Sequence, residues 1–196
     1  MWYINYMSAR AVKALLHKRL MTHSELIRYG TNGVQLRRLS ETGQMISLGS
    51  GIYASPRLEP FVASVLAASK YYPQTVISGL TAMQIHGLSQ EYIDRIDVDI
   101  PRETSLRNAL LRVHRVPKSR MTGIVQMKYQ GGMIRIYDLE RTLCEAYKLD
   151  PAGPLFFKSL KRYLKLGKIK SEQIAAYDKT LKTRVLMHLQ QELADG

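Results

Sequence analysis

Cysteine is almost missing from this chain: Cys144 stands alone among 196 residues, so no internal disulfide can form and no cysteine-based zinc cluster can assemble. Its neighbours, Arg141-Thr-Leu-Cys-Glu-Ala-Tyr147, follow a helical pattern, which predicts a small buried hydrophobe rather than a nucleophile. Histidine is sparse as well. His17, His23, His86, His114 and His188 show no metal-ligand spacing, so neither a metal nor a cofactor is expected. No apolar run approaches the roughly 18 residues of a membrane span, and Met1 to Leu20 lacks a continuous apolar core with a small-residue cleavage site. A cytoplasmic protein is the expectation. The chain holds no internal repeat and no low-complexity stretch.

Acidic residues are the other shortage: 16 Asp and Glu face 29 Lys and Arg, a formal net charge of +13. A surface with that excess attracts polyanions over a Debye length of roughly 8 to 10 Å, and nucleic acid is the first partner to consider. The excess is spread along the chain, about +5 for residues 1 to 56, +3 for 57 to 120 and +5 for 121 to 196. Length admits a small domain of some 55 residues joined to one of some 140, with the boundary expected at 1–56 and 57–196.

In Ala9 to Leu20, Val12, Leu15, Leu16 and Leu20 share one stripe while Arg10, Lys13, Lys18 and Arg19 lie elsewhere, which predicts an amphipathic helix. Thr22 or His23 opens a second, short helix through Tyr29, with Glu25 in its first turn, and Gly30 ends it. Thr31-Asn32-Gly33 then supplies a tight turn and an N-cap for a third helix, Gly33 to about Thr42. Its Leu36 and Leu39 point inward, and Gly43 serves as a left-handed stop. Helix, short turn, helix is the helix-turn-helix pattern.

The outward face of the third helix carries Val34, Arg37, Arg38 and Glu41, with Gln35 on the flank. A recognition helix reads base edges with its first turns, where Arg grips guanine and Asn or Gln pairs with adenine. The candidate contacts are therefore Thr31, Asn32, Gln35, Arg37 and Arg38. Met45 to Leu48 and Ile52 to Ala54 read as two short strands around Gly49-Ser50-Gly51, a hairpin in the position of a wing. Its start at Gln44 and its tip at Gly49, Ser50 and Gly51 join the candidate DNA contacts. Ile46, Leu48 and Ile52 are expected to cap the three-helix core.

Behind Pro56 the pattern alternates. An apolar helix spans Glu59 to Tyr72, a strand Thr75 to Ile77, and a helix capped by Ser78 runs Gly79 to His86. Strands follow at Arg95 to Pro101, Leu110 to Val116, Ile124 to Tyr129 and Met133 to Tyr137, the last two joined near Gly131-Gly132. Asp138 caps a helix over Leu139 to Lys148, in which Arg141 and Glu145 form an i, i+4 pair suited to anchoring it against the sheet. From about 139 the chain is helical, with Ser171 as a further N-cap. The fold class is mixed α/β (α+β): a winged helix-turn-helix, then a small mixed sheet with a helical C-terminal part.

Four segments occur in a telling order: Gly51-Ile-Tyr-Ala-Ser-Pro56, Val76-Ile-Ser-Gly-Leu-Thr-Ala-Met-Gln-Ile-His-Gly-Leu88, Ile96-Asp-Val-Asp-Ile-Pro101 and Ile136-Tyr-Asp-Leu-Glu-Arg-Thr-Leu143. In this order and spacing, over roughly residues 8 to 150, the chain resembles the AbiEi family of antitoxins from bacterial type IV toxin-antitoxin and abortive-infection systems. The resemblance implies a winged helix that represses its own operon at inverted repeats in double-stranded DNA. It also implies a second domain that counteracts a nucleotidyltransferase-like toxin functionally, with or without direct contact. The family's recognition helix falls on Gly33 to Thr42 and its wing on Met45 to Ala54.

Two other readings stay open. Asp97 and Asp99 alternate on a predicted strand and so share a face, a geometry able to hold magnesium for nucleotidyl transfer or phosphodiester cleavage. Against this, Ser78-Gly79 reverses the Gly-Ser order of a nucleotidyltransferase turn and is expected to lie far from the pair, in a capping role. No acid-x-Lys pattern of a nuclease follows. Two exposed acids on the wet face of an antiparallel sheet explain the spacing, so no catalytic residue is assigned and a non-enzymatic protein is expected. The third reading is a plain transcriptional regulator whose second domain senses a ligand or dimerises. Lys158, Lys161, Arg162 and Lys165 on the C-terminal helices are additional candidate phosphate contacts, alongside the bland reading of a solvated face.

Overall fold

The computed structural model describes residues 2 to 194, with side chains from Ala9 onward. The order of elements follows the expected pattern closely: α1 (Trp2–Lys18), β1 (Leu20–Thr22), α2 (His23–Ile27), α3 (Gly33–Glu41), β2 (Ile46–Ser47) and β3 (Ile52–Ala54) form the N-terminal part. Then come α4 (Pro60–Tyr71), β4 (Val76–Ile77), α5 (Gly79–Ile85), β5 (Ile96–Pro101), β6 (Leu111–Val116), β7 (Ile124–Tyr129) and β8 (Gly132–Tyr137). The chain finishes with α6 (Leu139–Leu149), α7 (Pro154–Lys165), α8 (Ser171–Leu181) and α9 (Val185–Ala194).

The first helix is shorter at its C-terminal end than its apolar stripe suggests. Arg19 adopts a left-handed φ of 67°, which stops the helix, and Leu20 to Thr22 turn into a strand. That strand pairs antiparallel with β3, Leu20 opposite Ala54, on the side away from β2, so the wing is a three-stranded sheet in the order β1-β3-β2. Three residues are too few to declare a strand by periodicity; the partner decides it.

The central sheet runs β6-β5-β4-β8-β7 and is mixed, parallel at β5–β6 and β4–β8 and antiparallel elsewhere. One face carries Ile77, Ile96, Val98, Ile100, Ile134 and Ile136, which pack with α4 in a single core cluster. The approach is close: a Cβ on Gly132 would stand 2.6 Å from Leu66 Cδ2 of α4, so any larger residue there requires that side chain to move. The other face is covered by α5 and α6, behind which α7, α8 and α9 build a second cluster around Phe156, Leu160, Tyr163 and Leu189. Cys144 lies in that cluster, fully buried, and burial pushes its thiol up to about 12, which suits packing and not nucleophilic chemistry.

The wing packs differently from expectation. Leu48 and Ile52, with Leu20 and Ala54, belong to the cluster of α4 and the central sheet, and Ile46 packs against it. The three-helix core is instead filled by Ala11, Leu15, Met21, Leu26, Leu36, Leu39 and Met45. The reason is the pleat: β3 presents Ile52 and Ala54 to one side and Tyr53 to the other, so a hairpin between two bodies serves both. Ser171 is the first residue of α8 rather than its cap, which is Lys170 with no side-chain hydrogen bond.

Candidate functional site

α2 and α3 are each fixed by a reciprocal cap. Thr22 Oγ1 accepts from Glu25 N at 3.2 Å while Thr22 N donates to Glu25 Oε2 at 2.7 Å. Asn32 Oδ1 accepts from Gln35 N at 2.9 Å, and Asn32 N donates to Gln35 Oε1 at the same distance. Two such boxes, each spanning four residues, fix where α2 and α3 begin with local chemistry alone. Between them Gly30 takes a left-handed φ of 83°, and Thr31 turns inward: it is 4 % exposed and its hydroxyl donates to Leu26 O at 2.8 Å. Thr31 thus locks the turn and does not stand on the outer surface, a correction to its place among the base contacts.

The outward face of α3 is open. Arg37 and Arg38 are exposed, and so is Val34, at 80 % of its full surface. Arg37 Nε meets Glu41 Oε1 at 2.8 Å, so the one acid on this face neutralises and aims one of the two arginines. Asn32 and Gln35 spend their oxygens on the cap, which leaves their NH2 groups as the available donors. Gln44 is exposed, its amide donating to Thr42 Oγ1 at 3.2 Å. Val34 is the residue of this face that charge-and-amide reasoning passes over; its signal was an apolar side chain on the polar side of the helical wheel.

Gly49, Ser50 and Gly51 form an exposed tip with φ values of 75°, 50° and 70°, closed by Leu48 N to Ile52 O at 2.9 Å. The tip is braced from two sides. His23 N, at the start of α2, donates to Gly51 O at 2.6 Å, and Asn108, from the β5–β6 connection, donates to Leu48 O at 3.3 Å and approaches Ser50 Oγ at 3.5 Å. The same Asn108 amide reaches Tyr72 Oη at 3.2 Å, so wing, α4 and sheet meet at one side chain. Along α1, an open cleft of about 500 Å³ is lined by Arg10, Lys13, Ala14, His17 and Lys18 with Tyr29 from the turn after α2. Of the C-terminal cations, Lys158, Lys161 and Lys165 are exposed, whereas Arg162 is tied to Leu88 O at 3.1 Å and Gln90 Oε1 at 3.2 Å. Arg162 therefore clamps the segment after α5 and is not free for phosphate in this arrangement.

A second polar constellation lies under the sheet. Asp97 and Asp99 share a face, as their alternation requires, but that face is buried by α5 and α6, and the two residues are 3 % and 4 % exposed. They are not solvated acids on a wet sheet. Asp97 Oδ1 lies 3.2 Å from His114 Nε2 and 3.5 Å from Arg112 Nη1, both on β6; its hydrogen bond raises the His114 pKa against the opposing effect of burial. Asp99 Oδ2 accepts from Tyr137 Oη at 2.9 Å. The Arg141 guanidinium stacks 4.3 Å over the Tyr137 ring and pairs with Glu145 at 2.9 Å, so the helix is anchored through a buried arginine as its spacing suggests. Burial pushes the Glu145 carboxyl up while Arg141 pulls it down, and burial is the stronger.

Ser78-Gly79 is not remote from this pair. Ser78 N donates to Asp97 O at 3.1 Å, and a Cβ on Gly79, whose φ is 53°, would lie 3.2 Å from Asp97. Ser78 stands at the N-cap of α5 as expected but makes no side-chain cap hydrogen bond: the Gly79 amide is taken by Glu145 Oε2 at 2.9 Å, and the Ser78 hydroxyl is buried with no partner among the described residues. Among the described residues no group of three or more His, Cys, Asp or Glu side chains is arranged to hold a metal ion. Among the described residues no helix is long and apolar enough to cross a membrane.

No family model matches the chain, and no curated protein matches it. Among solved structures it is similar to the crystal structure of the RV2827C protein from Mycobacterium tuberculosis, with a TM-score of 0.63 over 94 % of this chain and 76 % of that one. At 14 % identity the likeness is one of fold, extending from the N-terminal helices with their small antiparallel sheet through the mixed five-stranded sheet to the helical C-terminal part.

Proposed function

We propose that this chain binds double-stranded DNA with α3 in the major groove and the Gly49-Ser50-Gly51 tip against the backbone. The observation that carries the reading is the division of α3: Leu36 and Leu39 are committed to the core while Asn32, Val34, Gln35, Arg37 and Arg38 remain on the outer side of a doubly capped helix-turn-helix. In the finer form suggested by the ordered motifs, the protein is an AbiEi-like antitoxin that represses its own operon at inverted repeats and counteracts a nucleotidyltransferase-like toxin. Footprinting the full chain on the DNA preceding its own gene tests the first part. Protection is expected, and Arg37→Ala with Arg38→Ala should weaken binding by at least about tenfold, since each base-reading pair contributes on the order of 1 to 3 kcal/mol. Undiminished binding of the double variant removes α3 from the interface. Co-expression with the adjacent reading frame tests the second part: rescue of growth is expected, and its absence refutes the antitoxin role.

A second reading, a regulator whose larger part senses a ligand, is favoured by one observation. A cavity of about 260 Å³ opens beside the buried acids, lined by Ser78, Gly79, Asp99, His114, Val116, Glu145, Lys148 and Leu149.

A further inference from the structure

Among the described residues four acidic side chains are buried, and three have a cation within reach: Asp97 has Arg112 and His114, Glu140 has Lys170 at 3.6 Å, and Glu145 has Arg141. Asp99 differs. At 4 % exposure, its one hydrogen bond among the described residues is from the Tyr137 hydroxyl to Oδ2. The His114 imidazole, in the wall of the same cavity, acts on Asp99 at longer range, but among the described residues no cation stands within ion-pair distance of it, so this buried carboxylate is only partly compensated, which is costly. Asp99 lines the cavity beside β6, as does Ser78, whose buried hydroxyl also has no partner. Glu145 lines the same space, its oxygens shared with Gly79 N and Arg141. At the mouth stand Val116, an exposed Leu149 and the exposed Lys148.

We infer that this cavity is a binding site for a primary ammonium group, with Asp99 as its counter-ion. The match is one of donor count and charge. An ammonium offers three N–H donors, and the wall presents the Asp99 carboxylate, the orphaned Ser78 hydroxyl and the rim of Glu145 as acceptors, with His114 beside them, so binding should strengthen as pH rises and His114 loses its charge. An alkyl body attached to that head lies against Val116 and Leu149. Lys148 repels a second positive charge, so a monoamine with a neutral or anionic tail fits better than a diamine. The head can come from a free small amine or from a lysine side chain of a protein partner; the chemistry at Asp99 is the same. The site does not depend on the DNA-binding reading, which can fail without affecting it.

The test is titration of the full chain with n-butylammonium chloride, read by thermal unfolding and by amide chemical shifts, against sodium chloride and tetramethylammonium chloride at equal ionic strength. Butylammonium should give a saturable shift around β5, β6 and α6 that tetramethylammonium, which has no N–H donor, does not. Asp99→Asn should weaken it at least about tenfold, in line with loss of a charge-assisted hydrogen bond. Leu149→Trp, which blocks the mouth from an exposed position, should abolish it with the fold intact, so the inference remains testable if the Asp99 variant does not fold. Lys148→Met should leave the amine binding equal or tighter; if it instead abolishes binding, the site is overturned, as it is if tetramethylammonium works equally well or Asp99→Asn binds unchanged. Butylammonium and 4-aminobutyrate, set against a lysine-containing peptide blocked at both ends, distinguish the two sources. Tighter binding of the peptide assigns a partner's side chain, and tighter binding of a free amine assigns a metabolite.

Discussion

His114 and His86 respond to the same fold in opposite senses. The protonated imidazole of His114 donates to Asp97, which holds its pKa above the ordinary value, while His86 is pushed down by burial despite its Nε2 contact with Tyr137 O at 2.8 Å. The stabilisation from His114 is therefore complete below the usual histidine pKa and disappears as pH rises through the raised one. For His86 it is complete above the usual value and is lost as pH falls through the lowered one. Proton titration by NMR should place His114 above free histidine and His86 below it, and Asp97→Asn should bring His114 down. A His114 value unmoved by that substitution would refute the pairing. Thr31 provides a second check at this scale. Replacing it with Val keeps the shape and deletes the buried bond to Leu26, which should cost about 1 kcal/mol in urea unfolding. The inward turn of Thr31 was not legible in the sequence, because the residue types that cap helices are also those that reach for DNA, and only burial separates the two roles.

At the scale of elements, the helix-turn-helix was legible because its instructions are local: Thr22 with Glu25 and Asn32 with Gln35 write both caps within four residues. Asn32→Ala should lower stability by about 1 kcal/mol and loosen the start of α3, seen as faster amide exchange at Val34 and Gln35. Elements fixed by distant partners were not legible. β1 exists because β3 lies beside it, and although Ser78 holds the N-cap position of α5, the side chain that accepts from the first amide is that of Glu145, 66 residues beyond Gly79. α3 also carries a prediction about base identity. An exposed Val34 one turn ahead of Arg37 and Arg38 suits the methyl group of thymine, and burying one methyl contributes about 0.8 kcal/mol, or roughly fourfold in affinity. Thymine-to-uracil replacement at one position of the bound site should weaken the wild-type protein by that factor and leave Val34→Ser indifferent. Equal losses in both proteins would show that Val34 does not read the methyl.

Across the whole molecule, the wing and the central sheet share one core. Leu48, Ile52 and Ala54 lie in the same cluster as Val65, Leu66 and Ile100, so residues 1 to 56 on their own would expose the inner side of their hairpin. Calorimetry should show one cooperative transition, and Leu48→Ala should lower it as a unit by about 2 to 5 kcal/mol. Two separated transitions would mean that the shared core does not couple the two parts. The overall architecture could be read from alternating strands and helices, yet the polar layer beneath the sheet could not. Alternation says that Asp97 and Asp99 share a face; whether that face meets water depends on α6, which begins about forty residues later. The brace at Asn108 completes the picture. Many DNA readers hang their reading head on a tether and let it search for its own alignment with the groove. Here one amide ties the hairpin to α4 and to the turn that leads into β6, the strand carrying His114. On the proposed DNA-binding reading the head is mounted on a fixed bearing, so a rearrangement at Asn108 should change its aim.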